Sequence, residues 1–203
     1  MSQAPSWLRT STAGRREGHS PSHTGFSVLF VCTGNICRSA FAEIYLRDRL
    51  GPTSPVTVSS AGTMAVVGHD LENQMAARAE LLDLPYAGHT ARQLTGRILG
   101  TADLVLVFEE HHLTWVLEER PGMLTRTLSL GQAAAGLAVL PPDVHLTWDQ
   151  VASRVQEVRP TALPEDWIPD PYRRGAGAAA QASRRIVDDI DQILARVTPA
   201  TGS

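Results

Sequence analysis

The segment Cys32-Thr33-Gly34-Asn35-Ile36-Cys37-Arg38-Ser39 brings together residue types suited to capturing an oxyanion and attacking it. Arg38 offers a planar fork that matches two oxygens of a phosphate. Gly34 and Asn35 both tolerate the left-handed backbone that a tight loop demands. Where such a loop feeds a helix N-terminus, its amide hydrogens converge on whatever sits at the centre, and the helix dipole adds positive potential. A thiol in that field is favoured as thiolate, so Cys32 becomes a nucleophile aimed at a phosphoryl group held above it. A carboxyl candidate stands far downstream in Ile168-Pro169-Asp170-Pro171-Tyr172, where Asp170 either starts a turn or supplies a proton to a leaving group.

Such a loop has to be held between a strand and a helix. Val28-Leu29-Phe30-Val31 is β-branched and aromatic without polar alternation, the pattern of a fully buried strand. Phe41, Ile44, Tyr45 and Leu46 recur at near-helical spacing, so a helix begins close to Ser39, which is then a natural cap. Further along, residues 56–58, 103–108 and 124–128 read as strands. Residues 71–84 and 109–118 read as helices, ended by Pro85 and by Pro121-Gly122. Residues 175–197 form a long helix with Ile186, Val187, Ile190, Ile193, Leu194 and Val197 on one face. Strands alternating with helices predict parallel pairing with right-handed crossovers, and the loop then lies at the carboxyl end of the first strand, where open α/β sheets bind ligands. Residues 131–167 fit this scheme poorly. They hold Ala133-Ala134-Ala135, several prolines and a helix-compatible run over 148–158, and read as an embellished connection packed locally, with a substrate-contacting lid as the other reading.

The loop, taken with the Asp-Pro motif, resembles the phosphate loop of the low-molecular-weight protein tyrosine phosphatases. Ser59-Ser60-Ala61-Gly62-Thr63, His89-Thr90-Ala91-Arg92-Gln93-Leu94-Thr95 and Ala102-Asp103-Leu104-Val105-Leu106-Val107 carry the resemblance further, so that it runs from about Phe26 to Val197. It implies a single three-layer α/β domain over residues 26–200, with a four-stranded parallel sheet in the order 2-1-3-4 flanked by helices. It also implies a phosphotyrosine hydrolase acting on a protein or a small aryl phosphate, releasing phosphate, with a phosphocysteine intermediate and no metal or organic cofactor. Cys32 would be the nucleophile, Arg38 the phosphate clamp and Asp170 the general acid. Thr33, Gly34, Asn35, Ile36 and Cys37 would supply the rest of the loop, and Ser39 a hydroxyl for the cysteine sulfur. The resemblance also ties the Asn35 side chain to Ser60 and His89. Cys37 either packs the loop or forms a reversible disulfide with Cys32, and Tyr172 either walls the substrate ring or packs inside.

Several residues depart from the family's pattern. Ala40 replaces a proline, Glu109 an aspartate, and Arg173 the second tyrosine of Asp-Pro-Tyr-Tyr, while residues 61–68 lack a tryptophan. Ile36 stands where the arginine-phosphatase branch carries threonine, and isoleucine favours a flat phenyl ring. Two other functions compete. An arsenate reductase on this scaffold needs a resolving cysteine downstream, and the chain has none after Cys37. A catalytically quiet phospho-binding module would not need both Cys32 and Asp170.

Composition sets wider bounds. The chain of 203 residues is long enough for one domain with a substantial core. A net charge of -3 gives no reason to expect nucleic acid or an anionic membrane as partner. All 18 basic residues are arginine, scattered in a way that makes no site. The two cysteines share one loop and are not a secreted disulfide framework. Residues 1–25, rich in Ser, Thr, Gly, Arg and Pro, read as a flexible tail without a signal-peptide core, and a cytoplasmic location is the expectation. His19, His23, His69, His111, His112 and His145 show no metal-ligand spacing, and the adjacent pair His111-His112 reads as helix surface.

Overall fold

The computed structural model describes residues 25–198, so the tail predicted for residues 1–25, with His19 and His23, lies almost wholly outside the described residues. Four parallel strands, β1 (Ser27–Cys32), β2 (Thr57–Gly62), β3 (Leu104–Val107) and β4 (Thr127–Ser129), pair in the order β2-β1-β3-β4. The predicted sheet and its strand order are those observed.

β1 lies between two neighbours and is buried from Val28 to Cys32, which is why its sequence shows no polar alternation. Its side chains still alternate between faces. Val28, Phe30 and Cys32 join one apolar cluster, and Leu29 and Val31 join another. The first cluster is covered by α1 (Arg38–Leu50), α2 (Asn73–Glu80), α5 (Leu130–Ala138), α6 (Trp148–Val158) and α7 (Gly175–Leu194). The second is covered by α3 (Gly96–Gly100) and α4 (Glu110–Glu119), with Leu99, Leu113 and Val116 facing the sheet. The result is three layers, with the carboxyl ends of the strands at one edge.

The differences from expectation have physical causes. β2 runs on to Gly62, past the predicted 56–58, because Cys32 pairs with Gly62 at the end of the parallel ladder. Its last residues are small because the loop after β1 rests on them: a Cβ on Gly62 would lie 2.4 Å from the Thr33 carbonyl oxygen. α2 is shorter than predicted, beginning after a Glu72 cap whose carboxylate accepts from the amides of Gln74 and Met75. β4 starts at Thr127, later than predicted, since residues 121–126 wind into a 3₁₀ turn.

The largest correction concerns residues 131–167. Their Ala-rich start is not a connection but α5, buried on nearly every side, and α6 follows with the predicted bounds of 148–158. Gly131 and Gly136 allow the close fit: a Cβ there would stand 2.5 Å from the Asp166 carbonyl oxygen and 2.8 Å from Val155 Cγ1. Among the described residues no helix is long and apolar enough to cross a membrane.

Candidate active site

The carbonyls of the loop point away from its centre. Those of Cys32, Thr33, Gly34 and Ile36 accept from the amides of Thr63, Met64, Val66 and Glu72, and that of Asn35 accepts from His89 Nε2 at 2.8 Å. Among the hydrogen bonds of the described residues, the amides of residues 33–37 donate to nothing. A loop with its oxygens spent outward and its N–H groups unspent is an anion cradle.

Asn35 is the loop's strained residue. It holds a left-handed φ of 55° and is fully buried. Its Nδ2 donates to Ser60 Oγ at 2.7 Å and to Ser39 Oγ at 3.0 Å, and its Oδ1 accepts the Arg92 amide at 2.9 Å. Ser60 Oγ in turn donates to Glu43. The expected tie to Ser60 is therefore present, whereas His89 reaches the Asn35 main chain and not its side chain.

Ser39 does not cap α1, as its sequence position suggested. It lies inside the helix, after an N-terminal residue, Cys37, that makes no side-chain cap. Its hydroxyl sits 2.9 Å from Cys32 Sγ. Because Ser39 Oγ already accepts from Asn35, its own hydrogen is available to the sulfur. Both cysteines are free and buried, and burial, then the neighbouring Cys32, pushes the Cys37 thiol well up, so Cys37 stays protonated.

Arg38 is 1% exposed. Its Nη1 donates to Glu109 and, at 2.9 Å, to the Ile168 carbonyl, while Nη2 lies 3.1 Å from Asp170 Oδ1. Its Nε has no hydrogen-bond partner. A buried guanidinium N–H without an acceptor is rare in a folded interior, and this one could donate to an anion seated in the loop. The Asp170 carboxylate is 41% exposed and so faces both the guanidinium and the open side. Tyr172 is 40% exposed, with the Arg173 guanidinium 5.1 Å from its ring centre, so it does not pack inside.

Two participants are not singled out by the sequence. Glu109, noted there only as a departure, is the second carboxylate on Arg38. His112 is not helix surface: it is fully buried, and burial, with the charge of Arg38 next, pushes it down to about 2. Its Nδ1 accepts the Glu109 amide at 3.0 Å, and its Nε2 lies 2.9 Å from Thr33 Oγ1. Glu109 and His112 stand three apart at the start of a helix that follows a strand, the one signal that could have paired them.

Glu109, His111 and His112 bring ligand atoms within 4.8 Å of one another, which tests the site for a metal. The donor set fits poorly. His112 spends its Nδ1 lone pair on the Glu109 amide, which leaves the proton on Nε2, and the Glu109 carboxylate is spent on Arg38.

A family model described as low molecular weight phosphotyrosine protein phosphatase matches residues 27–132. The low molecular weight protein-tyrosine-phosphatase Wzb of Salmonella typhi is 32% identical over 151 residues, 74% of this chain and 80% of that one. Two solved structures share the fold. Wzb from Escherichia coli K30 in complex with sulphate has a TM-score of 0.62 at 28% identity, covering 82% of this chain and 94% of its own. The YwlE arginine phosphatase of Geobacillus stearothermophilus has a TM-score of 0.63 at 25% identity, covering 84% and 90%.

Proposed function

The chain belongs to the low molecular weight phosphotyrosine protein phosphatase family, and from that premise we propose that it hydrolyses phosphotyrosine through a phosphocysteine intermediate. Arg38 and the amides of residues 33–37 hold the three non-bridging oxygens. The Cys32 thiolate attacks phosphorus in line, the P–O bond to the tyrosine breaks, and Asp170 gives its proton to the departing phenolate. Water then attacks phosphorus, Asp170 takes its proton, the P–S bond breaks, and phosphate leaves with the thiolate restored. The Ser39 hydroxyl, 2.9 Å from the sulfur, stabilises the thiolate as it attacks and as it leaves.

One observation carries this reading above the others. The loop's arginine, with an unspent buried Nε, meets at 3.1 Å a carboxylate that the chain delivers from the segment before α7. A phospho-binding module has use for the arginine but not for a partly exposed carboxylate beside it.

The substrate side supports a flat ring. Ile36 and Val66 put apolar carbon beside Gly34, where a Cβ would lie 3.4 Å from Ile36 Cγ1 and 3.6 Å from Val66 Cγ2. Tyr172 offers an aromatic rim. The test is turnover of p-nitrophenyl phosphate and of phosphotyrosine peptides, against phosphoarginine, by wild type and Cys32→Ser. The expected result is turnover of the aryl esters that disappears in the serine variant. Preferred turnover of phosphoarginine, or unchanged turnover in Cys32→Ser, would refute the proposal.

A further inference from the structure

The mechanism above makes no use of His112, although it is a fully buried histidine beside the loop. Three observations define what it does. Its protonation is fixed by geometry: Nδ1 accepts the Glu109 amide at 3.0 Å, so in the neutral ring the hydrogen is on Nε2. That Nε2–H points at a defined acceptor, Thr33 Oγ1, at 2.9 Å. Thr33 is the residue directly after the nucleophile, and its carbonyl is held on the other side by the Met64 amide at 2.9 Å.

The same helical turn also reaches the other end of the loop. Glu109, the residue before α4, pairs with Arg38, and the Glu109 amide is the group that fixes the His112 ring. One turn of backbone thus grips residue 33 through a neutral donor and residue 38 through a charge. The grip on residue 38 restrains a side chain that must also bind phosphate. The grip on residue 33 restrains the loop backbone without using any group the anion needs.

We propose that His112 is a positioning residue, acting through the Thr33 hydroxyl to hold the first residue of the phosphate loop in its anion-binding conformation. Neutrality suits the task. A charged imidazolium there would sit against Arg38, and burial together with the Arg38 charge keeps the ring from taking a second proton. The contact is a single neutral hydrogen bond, so its loss is expected to cost about a factor of ten in phosphate affinity. His111 Nε2 lies 3.3 Å from the same hydroxyl, but that ring is exposed and water can replace it.

The inference rests on the phosphatase reading, and calorimetric binding of inorganic phosphate tests it without requiring turnover. Failure of the parent reading would show instead as wild-type protein without aryl phosphatase activity. Thr33→Val removes the acceptor and leaves the buried His112 N–H without it, so it should weaken phosphate binding and kcat/KM about tenfold and lower the melting temperature modestly. His112→Ala should do the same with a lower melting temperature. His112→Gln, whose amide nitrogen reaches where Nε2 was, should restore binding to within about threefold. The double variant Thr33→Val/His112→Ala should be no worse in phosphate affinity than the weaker single variant, because both remove one contact. Wild-type affinity in Thr33→Val, additive losses in the double variant, or a glutamine that fails like alanine would each overturn the assignment. If His112→Ala does not fold, Thr33→Val and His112→Gln decide the matter alone.

Discussion

Replacing Asn35 by alanine tests the loop's architecture most sharply, because the side chain and the backbone angle contribute separately. The alanine loses the two Nδ2 donations and the bond accepted from the Arg92 amide. At about 0.5–1.5 kcal/mol each, these sum to roughly 1.5–4.5 kcal/mol. Alanine must also hold a φ of 55°, which costs an ordinary residue about 1–2 kcal/mol. The expected loss is therefore about 2.5–6.5 kcal/mol, a large share of a small domain's stability. Asn35→Gly loses the same hydrogen bonds but not the backbone comfort, and offsets part of that gain by about 0.5–1 kcal/mol of unfolded-chain freedom. Glycine should therefore be the more stable of the two by about 0.5–1 kcal/mol. Urea unfolding of the three proteins measures this directly, and kcat/KM on p-nitrophenyl phosphate should fall about 10–10²-fold in whatever fraction remains folded. An alanine variant that loses less than about 1 kcal/mol, or one more stable than glycine, would show that Asn35 is not the loop's keystone and that the strain argument is wrong.

Other perturbations follow from the same geometry. Asp170→Asn should lower kcat on phenyl phosphate by about 10²–10⁴-fold and on p-nitrophenyl phosphate by less, since the better leaving group needs less help. It should bind phosphate no more weakly, because Arg38 loses the carboxylate now 3.1 Å away; equal losses on both esters would remove Asp170 from proton transfer. Gly62→Ala should cost about 1–3 kcal/mol and weaken phosphate binding, as its Cβ would press on backbone at 2.4 Å and 3.0 Å, the Thr33 oxygen and Asn35 nitrogen; melting and binding like wild type would contradict the loop's seat on β2. Burial raises the Asp189 carboxyl from 3.8 to about 6 despite Arg185, so between those values the folded state holds more protons than the unfolded. Its contribution to stability is thus present in acid, is lost as pH rises from about 4 to about 6, and stays lost above. Asp189→Asn should remove that dependence, so its stability relative to wild type should improve between pH 4 and pH 7 in urea titrations, and a flat difference would refute the assignment.

Much of this was legible along the chain because it is local. A buried strand announces itself by an unbroken apolar run, as at residues 28–31, and α7 by one apolar stripe of Ile186, Val187, Ile190 and Ile193. The Cys32-to-Arg38 spacing needs only one loop to bring thiol and guanidinium together. What failed to show was whatever is decided by a neighbour. α5 has no amphipathic signature because α6 and α7 bury it on several sides, so its alanines and glycines looked like a connection. His112 looked like surface since a helix of that length has a solvent face, and only the docking of α4 beside the loop turned that ring inward.

The sequence by itself determined the order of the four strands, the loop that carries Cys32 and Arg38, and the Asp170 carboxyl proposed to serve it, because each is written in residues that are contiguous or in types that carry their own chemistry. Tertiary structure alone decided that Ser39 faces the sulfur instead of capping its helix, that His89 reaches Asn35 by the main chain, and that Glu109 and His112 grip the two ends of the loop. The reason is physical. A side chain's partner across elements is fixed by which helix packs on which strand end, and that choice is made by the whole core and not by any stretch of residues near the site.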